Sequence, residues 1–343
     1  MLALLGSAVL LAASLAGQSS ENPVASNAAA SCSAHFFRGF DSRLHARQLA
    51  RIDTVKDAVT GFALFHGTPV LSYAHRLLLF NQDGTAAAMP SFKPLNGILT
   101  SLDQLRMVGA DGLLQFGDRT LEASPQPGYI KTARYAQSAT RYPLMAVEHG
   151  TNTEFSALTN KGETLPLIAI QGQMHAMSWT PSGFAAIVDN TLITLSSNEA
   201  KAWVSPPDPA LKSTTSLCMV GKSRALVMLP QTAVLYDNGR RTILATVNHG
   251  RCAWDGAQLA IFEAGTGILW QIDNLDAAGN PDQTRIFLQQ LAATAHSSDA
   301  AGERAYSELA RFVGFDKASA LSGHPDPCPT LPATQPTPPA TRK

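Results

Sequence analysis

The chain has 343 residues, of which 45% are hydrophobic and 15% charged, and its 26 basic and 26 acidic side chains give a formal net charge of +0 at pH 7. This length can bury one large core or two smaller ones. The even balance of charge argues against nucleic acid or an anionic membrane surface as a partner, because both select proteins with clustered Lys and Arg.

The N-terminal residues 1–17 form one uncharged apolar run that ends in small residues. This pattern is typical of a signal peptide, although no Lys or Arg precedes the run. With about sixteen apolar residues, the run is short for a membrane span. We therefore expect a secreted or periplasmic protein with no membrane span after signal removal. An uncleaved N-terminal segment that anchors the protein in the membrane is the alternative.

A leader and lead-in segment is expected over residues 18–54. Residues 18–33 are small and polar, which predicts a leader and not a packed element. The stretch from Phe36 to Asp57 is more basic and includes "RLHARQLAR". It is predicted to form either a short helix or a strand that leads into the first repeat, and its arginines either face solvent or contact an anionic partner.

A pattern of short apolar runs joined by tight turns recurs roughly every 40 residues. Each unit can be divided into four short strands. Turns such as Asn81-Gln-Asp-Gly84 and Asp237-Asn-Gly239 supply the positive φ angles that hairpins need. The six units begin at Val59, Leu102, Arg141, His175, Thr215 and Gly250.

A period near 40 residues with four short strands per unit is typical of a propeller blade. Trp179 and Trp254 occupy matching places in their units. No unit pairs a GH with a WD dipeptide, and none contains YVTN. The chain resembles six-bladed β-propellers of the NHL, YVTN and quinoprotein type, and its motifs do not single out one family among them. The resemblance implies an all-β domain of six four-stranded blades over residues 55–290.

A C-terminal helical extension is expected over residues 291–322, followed by an unpacked Pro/Thr-rich tail at 323–343. Before it, "TRIFLQQL" at 284–291 is predicted to be a strand. Residues 297–316 predict one amphipathic helix that ends at Gly314. Its apolar side chains recur at helical spacing, at Tyr306, Leu309, Phe312 and Val313.

The four cysteines suit an oxidising compartment, because an even number can pair completely. None lies in a C-x-x-C motif, so a metal site built on them is not expected. We predict that Cys32 pairs with Cys328 and joins the ends of the chain. Cys218 and Cys252 occupy equivalent positions in neighbouring units, and they are either a second disulfide or two buried thiols.

No sequence motif points to catalysis or to a cofactor. The chain contains no G-x-S-x-G, H-E-x-x-H, P-loop or G-x-G-x-x-G motif. We therefore assign no catalytic residue, metal or cofactor. In a propeller the innermost strands line the channel, so polar residues that enter those strands are candidates for ligand binding. They are Arg141, His175, His249 and Arg251. Arginine would bind an anion by paired hydrogen bonds, and histidine can donate or accept.

The sequence favours an exported, noncatalytic and monomeric β-propeller that binds a protein, peptide or glycan through its face or channel. Two alternatives stay open. One is a propeller hydrolase or lyase that acts through His175 and His249 at the channel mouth. The other is a cell-envelope assembly or structural component.

Overall fold

Short strands joined by tight turns make up most of the chain in the computed structural model. Two strands, β1 (Gly39–Phe40) and β2 (His45–Arg51), precede the first repeat. The structure describes residues 38–53, 58–91, 94–101, 104–109, 114–116, 119–121, 134–136, 144–158, 164–180, 183–196, 202–221, 223–237, 239–296 and 300–323.

The repeats form six antiparallel sheets in chain order. Sheet 1 contains β3 (Gly61–Phe65), β4 (Thr68–Tyr73), β5 (Arg76–Phe80) and β6 (Ala86–Pro90). Sheet 2 contains β7 (Leu95–Ser101), β8 (Gln104–Gly109), β9 (Leu114–Phe116) and β10 (Arg119–Leu121). Sheet 3 contains β11 (Arg134–Ala136), β12 (Leu144–His149), β13 (Asn152–Leu158) and β14 (Thr164–Gln171).

The second half of the chain continues the pattern. Sheet 4 contains β15 (Met174–Thr180), β16 (Gly183–Val188), β17 (Thr191–Ser196) and β18 (Trp203–Val204). Sheet 5 contains β19 (Ser216–Met219), β20 (Arg224–Met228), β21 (Thr232–Asp237) and β22 (Arg240–Thr246), with β1 added beside β22. Sheet 6 contains β23 (Gly250–Trp254), β24 (Leu259–Glu263) and β25 (Ile268–Asp273), with β2 beside β25.

The first strand of each sheet packs against the first strand of the next. This holds for β3 with β7, β7 with β11, β11 with β15, β15 with β19, β19 with β23, and β23 with β3. The sheets therefore close into a ring around these inner strands, which is the arrangement of a β-propeller. The predicted all-β propeller fold is confirmed.

The number of four-stranded blades in the described part of the chain is five, and the predicted number of six is therefore wrong. Among the described residues, five sheets have four strands, and sheet 5 has five. The additional strand is β1, in which Gly39 pairs with Thr246 and Phe40 with Ala245. The segment ahead of the repeats therefore contributes to two sheets, which a count based on the repeats alone cannot include.

Apolar side chains fill the junctions between neighbouring sheets. Between sheets 6 and 1, the rings of Phe62 and Phe262 lie 6.0 Å apart. Between sheets 5 and 6, Leu226 and Ile261 belong to one buried cluster. A blade with two apolar faces is buried fully only between two neighbours, and the ring supplies two neighbours for each blade.

The ring is closed by the N-terminal segment. Strand β2 pairs antiparallel with β25, from His45 opposite Asp273 to Arg51 opposite Ile268. Of the two predictions for this segment, helix or strand, the strand is correct. Nearby, Phe40 packs edge-on against Trp270 with ring centroids 5.0 Å apart.

The inner strands of sheets 5 and 6 are joined covalently. Cys218 in β19 and Cys252 in β23 form a disulfide with Cα atoms 6.1 Å apart, within the usual span of such a bond. Of the two possibilities left open by the sequence, the disulfide is therefore the correct one. Cys32 and Cys328 lie outside the described residues, and their pairing stays a prediction.

Three helices follow the last sheet: α1 (Gln283–His296), α2 (Ala300–Val313) and α3 (Phe315–Ser322). The helix predicted at 297–316 corresponds to α2, and Gly314 ends it with a φ of 94°. The strand predicted at 284–291 is wrong, because these residues lie in α1. Phe287, Leu288 and Leu291 pack with α2 in one cluster, a spacing that fits a helical face. No helix in the described part of the chain is long and apolar enough to cross a membrane.

Candidate functional site

One end of the ring collects the starts of the inner strands, and we call it the entrance face. In an antiparallel sheet, the turn between the second and third strands lies at the end where the first strand begins. The entrance face therefore includes the β12–β13, β16–β17, β20–β21 and β24–β25 turns together with the connections that lead into β15, β19 and β23.

His175 is the second residue of β15 and is half-buried. The ladder between β15 and β16 shifts register between Met174 and Ala176, so His175 has no cross-strand partner. A bulge of this kind points a side chain away from the regular pleat. Within the described residues, the imidazole has no hydrogen-bond partner. Because it is the second residue of an inner strand, His175 lies at the entrance face.

His249 lies in the turn that leads into β23 and is exposed, with a φ of 51°. Its backbone N–H donates to the carbonyl of Pro230 (2.6 Å), and its carbonyl accepts from the N–H of Ala264 (3.1 Å). Its Nδ1 lies 2.8 Å from Oδ1 of Asn248. In the neutral tautomer that donates from Nδ1, Nε2 is the acceptor. The turn is fixed by two neighbouring turns while the imidazole faces solvent.

Arg251 is the second residue of β23 and is half-buried. Burial lowers the pKa of its guanidinium. His249 and Arg251 are separated only by Gly250, whereas His175 lies on sheet 4, with sheet 5 between. Arg141, the fourth candidate, lies outside the described residues, after β11 and before β12 in the chain.

Hydroxyl groups fasten β19 to β23 at the entrance face. Thr215 Oγ1 donates to the carbonyl of Gly250 at 2.6 Å, and the N–H of Cys252 donates to Ser216 Oγ at 3.2 Å. Together with the disulfide, these bonds fix the strand that carries Arg251. A rigid strand of this kind positions its side chains more accurately than a loop does.

A buried carboxylate supports the turn next to Arg251. Glu263 is 0% exposed. It accepts hydrogen bonds from Trp270 Nε1 (2.6 Å) and from the N–H of Asn248 (3.1 Å), and Arg38 Nε lies 3.4 Å from it. Burial raises the pKa of Glu263, and these partners oppose that shift. No sequence pattern indicates this role, because Trp270, Asn248 and Arg38 come from three separate places in the chain.

A polar cleft of about 690 Å³ also opens on the entrance face, between turns of sheets 3 and 4. Asp189 Oδ1 accepts from the N–H of Gln173 at 3.0 Å, and the N–H of Gly172 donates to the carbonyl of Thr151 at 2.7 Å. The sequence missed this cleft, since it forms only where turns from two sheets meet. Its lining consists of Glu148, Gly150, Thr151, Gln171, Gly172, Gln173 and Asp189.

The described residues contain no group of three His, Cys, Asp or Glu side chains that could hold a metal ion. The described polar groups at the entrance face include amides, hydroxyls, the histidines His149, His175 and His249, Arg251, and the carboxylates of Asp189 and Glu263, which accept backbone hydrogen bonds. Such a set can donate to and accept from a polar ligand.

No protein-family model and no curated protein sequence matches the chain. Solved structures do resemble it. A gluconolactonase from Xanthomonas campestris is 13% identical with a TM-score of 0.49, and the match covers 68% of this chain and 90% of that one. A virginiamycin B lyase from Staphylococcus aureus is 9% identical with a TM-score of 0.46, covering 68% and 100%. Hsv2 from Kluyvelomyces marxianus is 11% identical with a TM-score of 0.40, covering 62% and 71%. At these identities the likeness concerns the fold alone, and no activity follows from it.

Proposed function

We propose that the protein is an exported, noncatalytic β-propeller that binds a polar ligand, either a protein, a peptide or a glycan, at its entrance face. One observation carries this proposal. The polar cleft and three of the predicted binding residues, His175, His249 and Arg251, all belong to the same end of the ring. Loops on one end of a rigid scaffold are the usual place for a binding site.

The chemistry of this face favours binding over catalysis. A hydrolase or lyase needs a nucleophile or general base within hydrogen-bond reach of a group that orients it. The partner of His249 is the neutral amide of Asn248. The carboxylates of Asp189 and Glu263 accept backbone hydrogen bonds that hold turns in place. These groups therefore serve to shape the face.

Export is supported by two features. The apolar run at residues 1–17 is typical of a signal peptide. The Cys218–Cys252 disulfide is typical of an oxidising compartment. Fractionation of cells that produce the full chain tests this part of the proposal, and recovery of the protein in the reducing cytosol would contradict it.

Binding can be tested with the purified protein on peptide and glycan arrays. We expect the double variant Gln171→Ala, Gln173→Ala to lose binding, because both exposed side chains line the cleft. Gln289→Ala, Gln290→Ala changes two exposed glutamines on α1 and is the matched control. An array signal that is identical in all three proteins would place the ligand elsewhere.

Catalysis can be tested separately. The wild-type protein should show no turnover across a panel of lactones, esters and uronic-acid glycans. Turnover that disappears in His175→Ala or His249→Ala would replace the binding proposal with the hydrolase or lyase alternative. Size-exclusion chromatography with light scattering tests the expected monomer.

A further inference from the structure

Arg251 lies at the inner end of the junction between sheets 6 and 1. Side chains alternate along β23, and Cys252 points toward sheet 5, where it is bonded to Cys218. Ala253 belongs instead to the cluster with Phe62 of sheet 1. Because Arg251 shares the side of Ala253, its side chain lies on the side of sheet 1, and its place at the start of the strand puts it next to the entrance face.

Within the described residues, no carboxylate pairs with this guanidinium. Arg251 forms no ion pair or hydrogen bond there, and burial lowers the pKa of its guanidinium. The buried carboxylate on the neighbouring strand, Glu263, has the parity of Ile261, which faces sheet 5. It therefore lies on the opposite side of the sheet, where Trp270, Asn248 and Arg38 contact it.

A half-buried arginine without a counter-charge is costly to retain. Burial removes water from the guanidinium, and that loss is normally offset by an acidic partner. The neighbouring positions on the same side of the sheet, Ala253 and Phe262, are apolar and buried. Arginine carries five N–H donors in a planar fork that matches the two oxygens of a carboxylate or phosphate.

We propose that Arg251 is the anchor of an oxyanion site, in which a carboxylate or phosphate group of the ligand receives paired hydrogen bonds from the guanidinium. This inference rests on the proposed function, since it names the chemical class of ligand that the entrance face takes. The disulfide and the Thr215 and Ser216 hydroxyls fix the strand beneath the site. His249, two residues earlier, would border the bound group.

Calorimetric titration of the full chain with inorganic phosphate and with citrate, in a buffer free of other multivalent anions, tests the site. We expect saturable binding of at least one probe, and the stronger of the two identifies phosphate or carboxylate as the recognised group. Arg251→Gln should weaken binding by about 10- to 100-fold, the usual worth of a charge-assisted hydrogen-bond pair. The affinity of Arg251→Lys should lie between those of the wild type and Arg251→Gln, because lysine keeps the charge and loses the planar fork of donors.

Arg304→Gln is the matched control, because Arg304 is exposed on α2. It should bind both probes as the wild type does. The site would be overturned if neither probe bound saturably, or if Arg251→Gln bound the probe with the same affinity as the wild type. If Arg251→Gln does not fold, the Nε–H resonance of Arg251 in the 15N-arginine-labelled wild type decides. It should move on addition of the bound probe, and a stationary resonance refutes the site.

The two proposals fail in distinguishable ways. Saturable phosphate or citrate binding with no ligand on the peptide and glycan arrays would overturn the proposed function and keep the oxyanion site. Array binding that persists in Arg251→Gln, together with no binding of either anion, would overturn the oxyanion site and keep the proposed function.

Discussion

The carboxylate of Asp41 accepts a hydrogen bond at 2.9 Å from the backbone N–H of Asn280, which lies 239 residues later in the chain. A second bond comes from the N–H of Gly279 at 2.9 Å, and a third from the N–H of Arg43 at 3.0 Å. Asp41 is only 1% exposed. This side chain therefore connects the turn between β1 and β2 to the loop that precedes α1.

We predict that Asp41→Ala lowers the free energy of unfolding by about 2–4 kcal/mol, because it leaves three backbone donors without their acceptor. Asp41→Asn keeps one acceptor oxygen and should cost less. Urea denaturation followed by circular dichroism measures both. Asp273→Ala, at an exposed position at the end of β25, should change stability by less than about 0.5 kcal/mol. Equal effects of Asp41→Ala and Asp273→Ala would contradict the prediction.

The disulfide between Cys218 and Cys252 should stabilise the junction of sheets 5 and 6. It closes a sequence separation of 34 residues, for which loop-closure entropy gives about 3–4 kcal/mol. We expect the double variant Cys218→Ala, Cys252→Ala to unfold at a lower temperature than the wild type by calorimetry. Reductant should lower the wild-type midpoint by more than it lowers that of the variant, because the variant lacks this one of the two predicted disulfides. A wild-type midpoint that is insensitive to reductant would argue against this role.

Cys32 and Cys328 are predicted to form the second disulfide. A peptide map of the alkylated, unreduced protein should contain one linked pair from positions 32 and 328 and another from positions 218 and 252. Alkylated Cys32 or Cys328 in that map would refute this pairing.

The docking of α2 should depend on pH through Glu308. Burial raises the pKa of Glu308 from 4.5 to about 7, although its carboxylate accepts hydrogen bonds from Thr232 Oγ1 (2.5 Å) and Gln231 N–H (3.2 Å) and Arg311 lies nearby. A pKa raised in the folded state means that protonation favours folding. This contribution is complete below about pH 4.5 and is lost as the pH rises through about 7.

Glu308→Gln should abolish the loss of stability at high pH, since the amide has no charge to bury. We expect it to be more stable than the wild type at pH 8.5 by roughly 1–3 kcal/mol, and to match the wild type near pH 4. Thermal unfolding across this range measures the difference. Glu303→Gln, on an exposed position of the same helix, should track the wild type at every pH. A stability gain for Glu308→Gln that does not vary with pH would count against the titration of this group.

Gly84 should be needed for the close approach of the β5–β6 turn to β2, the strand that closes the ring. It has a φ of 85°, and a Cβ at this position would collide with the backbone carbonyl of Leu49 in β2. Gly150 has a φ of 62° with open space around it. Gly150→Ala should therefore show only backbone strain, about 1 kcal/mol, while Gly84→Ala adds a steric cost of about 1–3 kcal/mol. Denaturant unfolding compares them, and equal losses would show that the approach of Leu49 is unimportant.

The sequence predicted the propeller well because its signals are local. Gly84 and Gly239 have the expected positive φ angles, and the turn positions set the period. Strands whose partners are distant in the chain were harder to predict from local signals. The units assigned from Leu102 and Arg141 missed β7 and β11, which precede those residues. For 284–291, a short apolar run fits a buried strand or a helix equally well. The structure has a helix, whose apolar side chains share one buried cluster with those of α2.

The candidate site was predictable as positions and not as contacts. The repeat predicted that His249 and Arg251 enter an inner strand, and the structure has His249 in the turn before β23 and Arg251 as the second residue of β23. The side of the sheet that Arg251 faces depends on the Cys218–Cys252 bond, and the sequence left that bond open. The polar cleft depends on two turns from different sheets, so no local pattern around Gln173 or Asp189 indicates it.

The pairing of β2 with β25 has a consequence for the order in which the chain is made. A ribosome releases residues 45–51 long before residues 268–273 exist, so β2 has no strand to pair with until nearly the whole chain has emerged. Throughout that interval β2 has an unsatisfied row of backbone donors and acceptors, which would attract other growing chains. Its exposed arginines, Arg47 and Arg51, repel an identical strand from a neighbouring chain during this delay.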